Sequence, residues 1–191
     1  MLENALIFLV NTVFGLFTMA LLVRFYVQWA RAPYRNPLSE FLSALTDFMV
    51  LPARRVIPGL WGLDLATLVL AWLIQLLELF IIFMIKGHPL AAAGSAFVGL
   101  ALLAGLMIVK FGLYIVIVVV VVQAVMSWIN PYTPLAPLFN SMSRPFLRVF
   151  QKLIPPIGNV DLSPLFVIVI CQLLLMLPVA YLEMTLSQWL G

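Results

Sequence analysis

The sequence predicts an all-α membrane protein: four transmembrane helices in two parallel helix–amphipathic helix–helix repeats. Three observations carry this. Of the 191 residues, 65% are hydrophobic and 9% charged, with a mean hydropathy of +1.18, whereas a soluble domain carries roughly 25% charged residues. Several apolar runs approach or exceed the roughly 20 residues that cross a hydrocarbon core. Backbone groups find no water there, so such runs must be helices or strands of a closed barrel, and these are too long and continuous for strands. The third observation is internal repetition. A gapless offset of 97 residues places Pro37-Leu38 on Pro134-Leu135, Thr46 on Ser143 and Arg55 on Lys152. It also places Ile57-Pro58 on Ile154-Pro155, Asp64-Leu65 on Asp161-Leu162 and Gln75-Leu76-Leu77 on Gln172-Leu173-Leu174. One or two gaps add Tyr34 on Tyr132 and Trp29 on Trp128.

The first repeat, residues 1–90, holds a span from about 5 to 29, an interfacial helix over 37–50 and a second span from after Asp64 to near Lys86. The second, residues 91–191, holds a span over 106–128, an interfacial helix over 134–150 and a span over 162–181. Residues 96–128 are apolar except for Lys110, Gln123 and Ser127, about 50 Å if helical throughout. The Ala-rich stretch before 106 therefore reads as an interfacial or re-entrant lead-in. Units that cross in the same direction should pack about a pseudo-two-fold axis along the membrane normal. The N-terminal run lacks a basic leader and a small-residue cleavage site, so a retained first helix is expected.

Eight of the ten Lys/Arg residues flank or occupy the two linkers: Arg24, Arg31, Arg35, Arg54 and Arg55, then Arg144, Arg148 and Lys152. Such clustering places both linkers in the cytoplasm and the termini outside. Trp29, Trp61 and Trp128 stand where interfacial anchors are expected. Each linker opens with a cap and a proline, Asn36-Pro37 and Thr133-Pro134, the cap accepting free N–H groups of the helix start. Leu38, Phe41, Leu42, Leu45 and Met49 then recur at helical spacing opposite Ser39, Glu40, Ser43 and Asp47. Leu135, Leu138, Phe139, Met142 and Phe146 recur likewise opposite Asn140, Ser141, Ser143 and Arg144. An amphipathic helix followed by basic residues suits a bilayer surface with anionic headgroups, or a docking face for a membrane-protein partner.

The unit NPLSEF…LPARRVIPG…DLATL and its echo SWINPYTPLAPLF…FQKLIPPIGNVDLSPL resemble the YggT family of small bacterial integral membrane proteins, which has relatives in cyanobacteria and plastids. The second copy has Gln-Lys where the first has Arg-Arg, and no basic residue matching Arg24. The resemblance covers almost the whole chain and implies residence in the bacterial inner membrane. It implies links to osmotic-stress tolerance and ion homeostasis, to division and envelope organisation, and, in the plastid branch, to haem attachment. It carries over no catalytic residue set.

Ionisable groups within a span raise a functional question. Glu78 lies about 21 Å from the inner face and Lys110 about 27 Å, a difference that a lysine side chain nearly bridges, so these two are expected to pair. Gln75 and Gln172 share a depth of about 16 Å and would meet at a symmetric centre. Asp64 and Asp161 begin their spans as caps, with pairing to Arg55 and Lys152 as the alternative. His88, the sole histidine, falls in an outer turn, which excludes a bis-histidine haem site within one chain; Cys171, the sole cysteine, excludes an intrachain disulfide. No HExxH, Walker A or GxSxG pattern occurs. A non-enzymatic membrane factor without a cofactor is expected, bound to lipid and to a membrane partner or to further copies of itself, with no nucleic-acid role. Potassium or solute transport through Glu78, Lys110 and the glutamines is the alternative, followed by haem maturation.

Overall fold

The computed structural model describes residues 1–33, 36–59, 62–87, 90–130, 132–153 and 161–190, and for 90–95, 153 and 190 the backbone alone. Tyr34, Arg35, Trp61, His88 and the Ile154-Pro155 echo lie outside the described residues. The helices are α1 (Leu2–Trp29), α2 (Pro37–Val56), α3 (Leu65–Ile85), α4 (Leu90–Ile129), α5 (Ala136–Leu153), α6 (Ser163–Leu174) and α7 (Ala180–Leu190). A π turn, Leu175–Val179, joins α6 to α7 as one rod. Among the described residues four segments are long and apolar enough to span a membrane: Leu2–Trp29, Leu65–Ile85, Ala96–Ile129 and Ser163–Trp189. The chain is a multi-pass membrane protein built of helices.

α1 ends where Arg31 takes a left-handed conformation (φ 49°). The Ala32 N–H then reaches back to Val27 O and the Arg31 N–H to Gln28 O, which satisfies carbonyls that the helix end would leave bare. Asn36 opens α2 as expected: its Oδ1 accepts the Ser39 N–H at 2.9 Å, and Pro37 occupies the first turn. α2 runs past the expected end at 50 and through Pro52, which is exposed, to Val56. Its section has three sides. Ser39, Leu42, Thr46 and Val50 are buried against the spans, Phe41 and Phe48 are exposed, and Ser43, Asp47 and Arg54 form the polar side. α5 begins at Ala136, two residues beyond Pro134, and continues to Leu153. It buries Leu138, Met142, Ser143 and Leu147. Ser39 and Ser143, expected on the solvent sides, face inward instead.

α4 corrects the expected lead-in. Residues 91–105 belong to one continuous helix of 40 residues, about 60 Å long. No proline interrupts the run, and its outer half is clamped to α3. Leu100 and Ala104 pack with Leu76 and Phe83, and the Trp72 Nε1–H donates to Ala101 O at 3.1 Å. The last span also exceeds its expected end at 181. Pro178 cannot supply the N–H that Leu174 O needs, so the ladder widens by one residue and Ala180 N bonds to Leu175 O.

α1, α3 and α4 form the centre, with α2 across α1 and α3, and α5 between α4 and α6. The fourth span packs on α4 and α5 and touches neither α1 nor α3 among the described residues. A closed two-fold arrangement would mirror the α3–α4 contact with one between the fourth span and α1. The repeats are thus parallel but open-ended, which corrects the pseudo-two-fold expectation. Besides the packing of α3 on α4, the two units are tied by Tyr26, whose buried hydroxyl donates to Met142 O across the repeat boundary. Tyr26 also stacks on Trp29 and lies beside Phe146. Tyr26→Phe is expected to lower unfolding stability by about 1 kcal/mol, the net worth of one buried hydrogen bond. Denaturant unfolding in detergent checks this; a change within error would leave the rings alone holding the junction.

Candidate functional site

Where α2 and α5 meet the spans, the two repeats use their polar residues differently. In the first repeat two of the cations, Arg24 and Arg54, are consumed internally. Arg24, 6% exposed, reaches from α1 to Asp47 Oδ1 at 2.7 Å and to Thr46 Oγ1 at 2.6 Å. A buried guanidinium costs several kcal/mol unless it is paired and hydrogen-bonded, so α2 is held where Asp47 and Thr46 meet it. Arg54, expected on an outward basic face, turns back instead. It pairs with Asp64 Oδ2 at 2.5 Å and approaches Gln28.

Asp64 meanwhile caps α3 as expected, its Oδ1 accepting the Thr67 N–H at 3.3 Å. Its partner is Arg54, not Arg55. Burial pushes the Asp64 carboxyl up, but hydrogen bonds from Arg54 and Thr67 together outweigh burial and hold it below the ordinary carboxylate value. Asp161 is likewise lowered, burial being outweighed by hydrogen bonds from Ser163 and Gln151. Asp161 accepts the Ser163 N–H at 2.9 Å from two residues before α6, whose cap position belongs to Leu162, and its side-chain partner is Gln151, not Lys152.

In the second repeat the cations are left outward. Arg144, Arg148 and Lys152 follow one another at four-residue spacing on α5, all exposed, and no described residue pairs with them. Arg31 and Arg55 are also exposed. Thr133 does not cap α5: it lies in the turn before the helix, and its buried Oγ1 has no partner among the described residues. Nor does Oε1 of Gln123, the residue standing where α1 has Arg24 when Trp29 is laid on Trp128. Both line a cleft of about 430 Å³ with Met126, Ser127, Tyr132 and Asn140. Gln123 was missed as a site residue, and its signal was a lone polar position at the Arg24 register of the echo.

Deeper in the spans, the expected Glu78–Lys110 pair does not form. Lys110 Nζ meets Glu183 Oε2 at 2.6 Å, on α7. Glu78, 6% exposed, accepts from Gln75 Nε2 at 3.1 Å. Gln75 and Gln172 do not meet: Gln75 is 2% exposed, while Gln172 lies on the outer surface of α6. Among the described residues no three His, Cys, Asp or Glu side chains converge on a common point that would hold a metal ion. Cys171 is buried in the packing of α4, α5 and α6.

The family model described as CCB3/YggT matches this chain twice, over residues 3–85 and 102–182. Similar proteins include uncharacterized protein PA0392 of Pseudomonas aeruginosa, 36% identical over 92% of this chain and 89% of that protein. Uncharacterized protein YggT of Escherichia coli K12 is 31% identical, covering 87% of this chain and 85% of its own length. A protein of Vibrio alginolyticus, printed as uncharacterized protein in proC 3'region, is 30% identical over 85% of this chain and 86% of its own. No solved structure matches.

Two outcomes follow from these pairs. The lowered Asp64 contributes stability that is fully present above the unfolded value of about 4 and is lost as pH falls through the folded one. Asp64→Asn should therefore lower stability by about 1 kcal/mol at neutral pH and flatten the decline on acidification. Parallel unfolding curves for both proteins below pH 4 would contradict the pairing. In double-mutant cycles, Lys110→Met with Glu183→Gln should couple by about 0.5–3 kcal/mol, whereas Lys110→Met with Glu78→Gln should be additive. The reverse pattern would restore the Glu78 partnership.

Proposed function

This chain belongs to the CCB3/YggT family, and we propose that it acts as a non-catalytic factor of the bacterial inner membrane. It grips anionic lipid headgroups through α5 and supports envelope organisation, membrane-protein assembly or osmotic-stress tolerance. One observation carries the reading: Arg144, Arg148 and Lys152 form an exposed stripe without partners among the described residues, while Arg24 and Arg54 of the first repeat are spent on Asp47 and Asp64. Unpartnered cations along an amphipathic helix fit a surface rich in anionic headgroups, each contributing about 1 kcal/mol. The same stripe supports a cytoplasmic linker end with the termini outside. The exposed Phe41 and Phe48 of α2 give that helix an apolar side toward the acyl chains.

A second reading rests on Glu78, a carboxyl buried within a span beside one neutral amide, where an ion pathway would need a polar group. Native mass spectrometry after extraction should show retained phosphatidylglycerol in the wild type, lost in the variant carrying Arg144→Gln, Arg148→Gln and Lys152→Gln. Equal retention by both proteins would overturn the headgroup role. Potassium flux in sealed liposomes that Glu78→Gln abolishes would replace the scaffold reading with transport.

A further inference from the structure

Within the chain, one of the contacts by which the first repeat holds the second lies on the outer half of α3. Trp72, Leu76, Phe80 and Phe83 of α3 receive Leu100, Ala101 and Ala104 of α4. The internal repeat copies both halves of this contact onto the far sides of the molecule. At the 97-residue offset, Trp72, Leu76 and Phe80 correspond to Val169, Leu173 and Leu177 of the fourth span. These three are 47%, 51% and 64% exposed. With Trp29 on Trp128, Ala101, Ala104 and Gly105 correspond to Leu2, Ala5 and Leu6. All three are exposed, Leu2 at 76% and Leu6 at 43%, and Leu9, Val13 and Leu16 continue the same side of α1 at 57%, 56% and 67%.

Gln172 marks the fourth-span copy as unfinished. Its counterpart Gln75 is 2% exposed beneath the packed helices, whereas Gln172 lies on the open surface of a span. An amide facing hydrocarbon lacks the partners that water or protein would give it. Acyl chains cover an apolar face adequately, but they do not hydrogen-bond an amide.

We infer that this chain associates head to tail with further copies of itself, α1 of one copy seating on the fourth span of the next as α4 seats on α3. Each copy crosses the membrane in the same direction, because the contact reuses the relation between two parallel repeats. Such a contact joins two different faces, so it propagates to a ring or a row rather than stopping at a symmetric dimer.

The test uses the full chain with Cys171→Ser, carrying Ala5→Cys, Leu173→Cys or both, in native membranes treated with a short bismaleimide. Both positions are exposed, so neither substitution disturbs a packed core. The double variant should give products of dimer size and above, and neither single variant should give any. A dimer from either single variant would set like faces together and overturn the head-to-tail arrangement. No product in any variant, with single-step photobleaching of fluorescently tagged wild type in bilayers, would assign both faces to lipid and overturn the association.

Discussion

Arg24 sits inside the helix packing, and the arrangement of the first repeat depends on its being neutralised there. A guanidinium at 6% exposure is tolerable only if its charge is met. Asp47 and Thr46 meet it at Nη1, and both come from α2, while Nε finds no partner among the described residues. The linker helix is therefore pinned to α1 at one point along its length. Leu42 and Val50 then close over the spans on either side of that point. Val50 joins the central cluster with Leu21, Leu22, Ala71 and Ile74, so the apolar core of three helices is assembled around a polar pin.

The second repeat lacks that pin. Gln123 stands at the matching position, and Arg144 stands where the offset would put Asp47, so charge has moved from inside to outside. α5 is held instead by apolar side chains, Leu138, Met142 and Leu147, and by the hydroxyl of Tyr26 donated from the other repeat. The first unit spends Arg24 and Arg54 on structure, and the second leaves Arg144, Arg148 and Lys152 exposed. Identical ancestry has produced two linker helices with different electrical characters on one face of the membrane protein.

What the sequence revealed, and what it hid, follows the range of each interaction. Asn36 and Asp64 were readable as caps because a cap is settled within three residues of chain. Thr133 was not, because α5 starts only at Ala136 and Pro134 belongs to a turn. The spans were readable from apolar length, but the outer part of α4 was not, since its helicity rests on α3 as a neighbour. Lys110 was matched by depth to Glu78. Its true partner, Glu183, lies two residues past the expected end of the last span at 181. Gln172 inherited the residue type of Gln75 without its surroundings, for α6 has no helix on the side where α3 has α4.

The π turn at Pro178 has a bearing on how this chain tolerates change in length. A widened turn stores one residue more than an α-helical turn does, while the segments on either side keep nearly the same angular phase. Loss of Pro178 itself would let the turn relax to ordinary α geometry and leave Glu183 opposite Lys110. Loss of a residue elsewhere in α6 would rotate every later side chain by about 100°. The fourth span thus contains one locus of slack in an otherwise phase-locked rod, where single-residue deletions among related sequences would be absorbed.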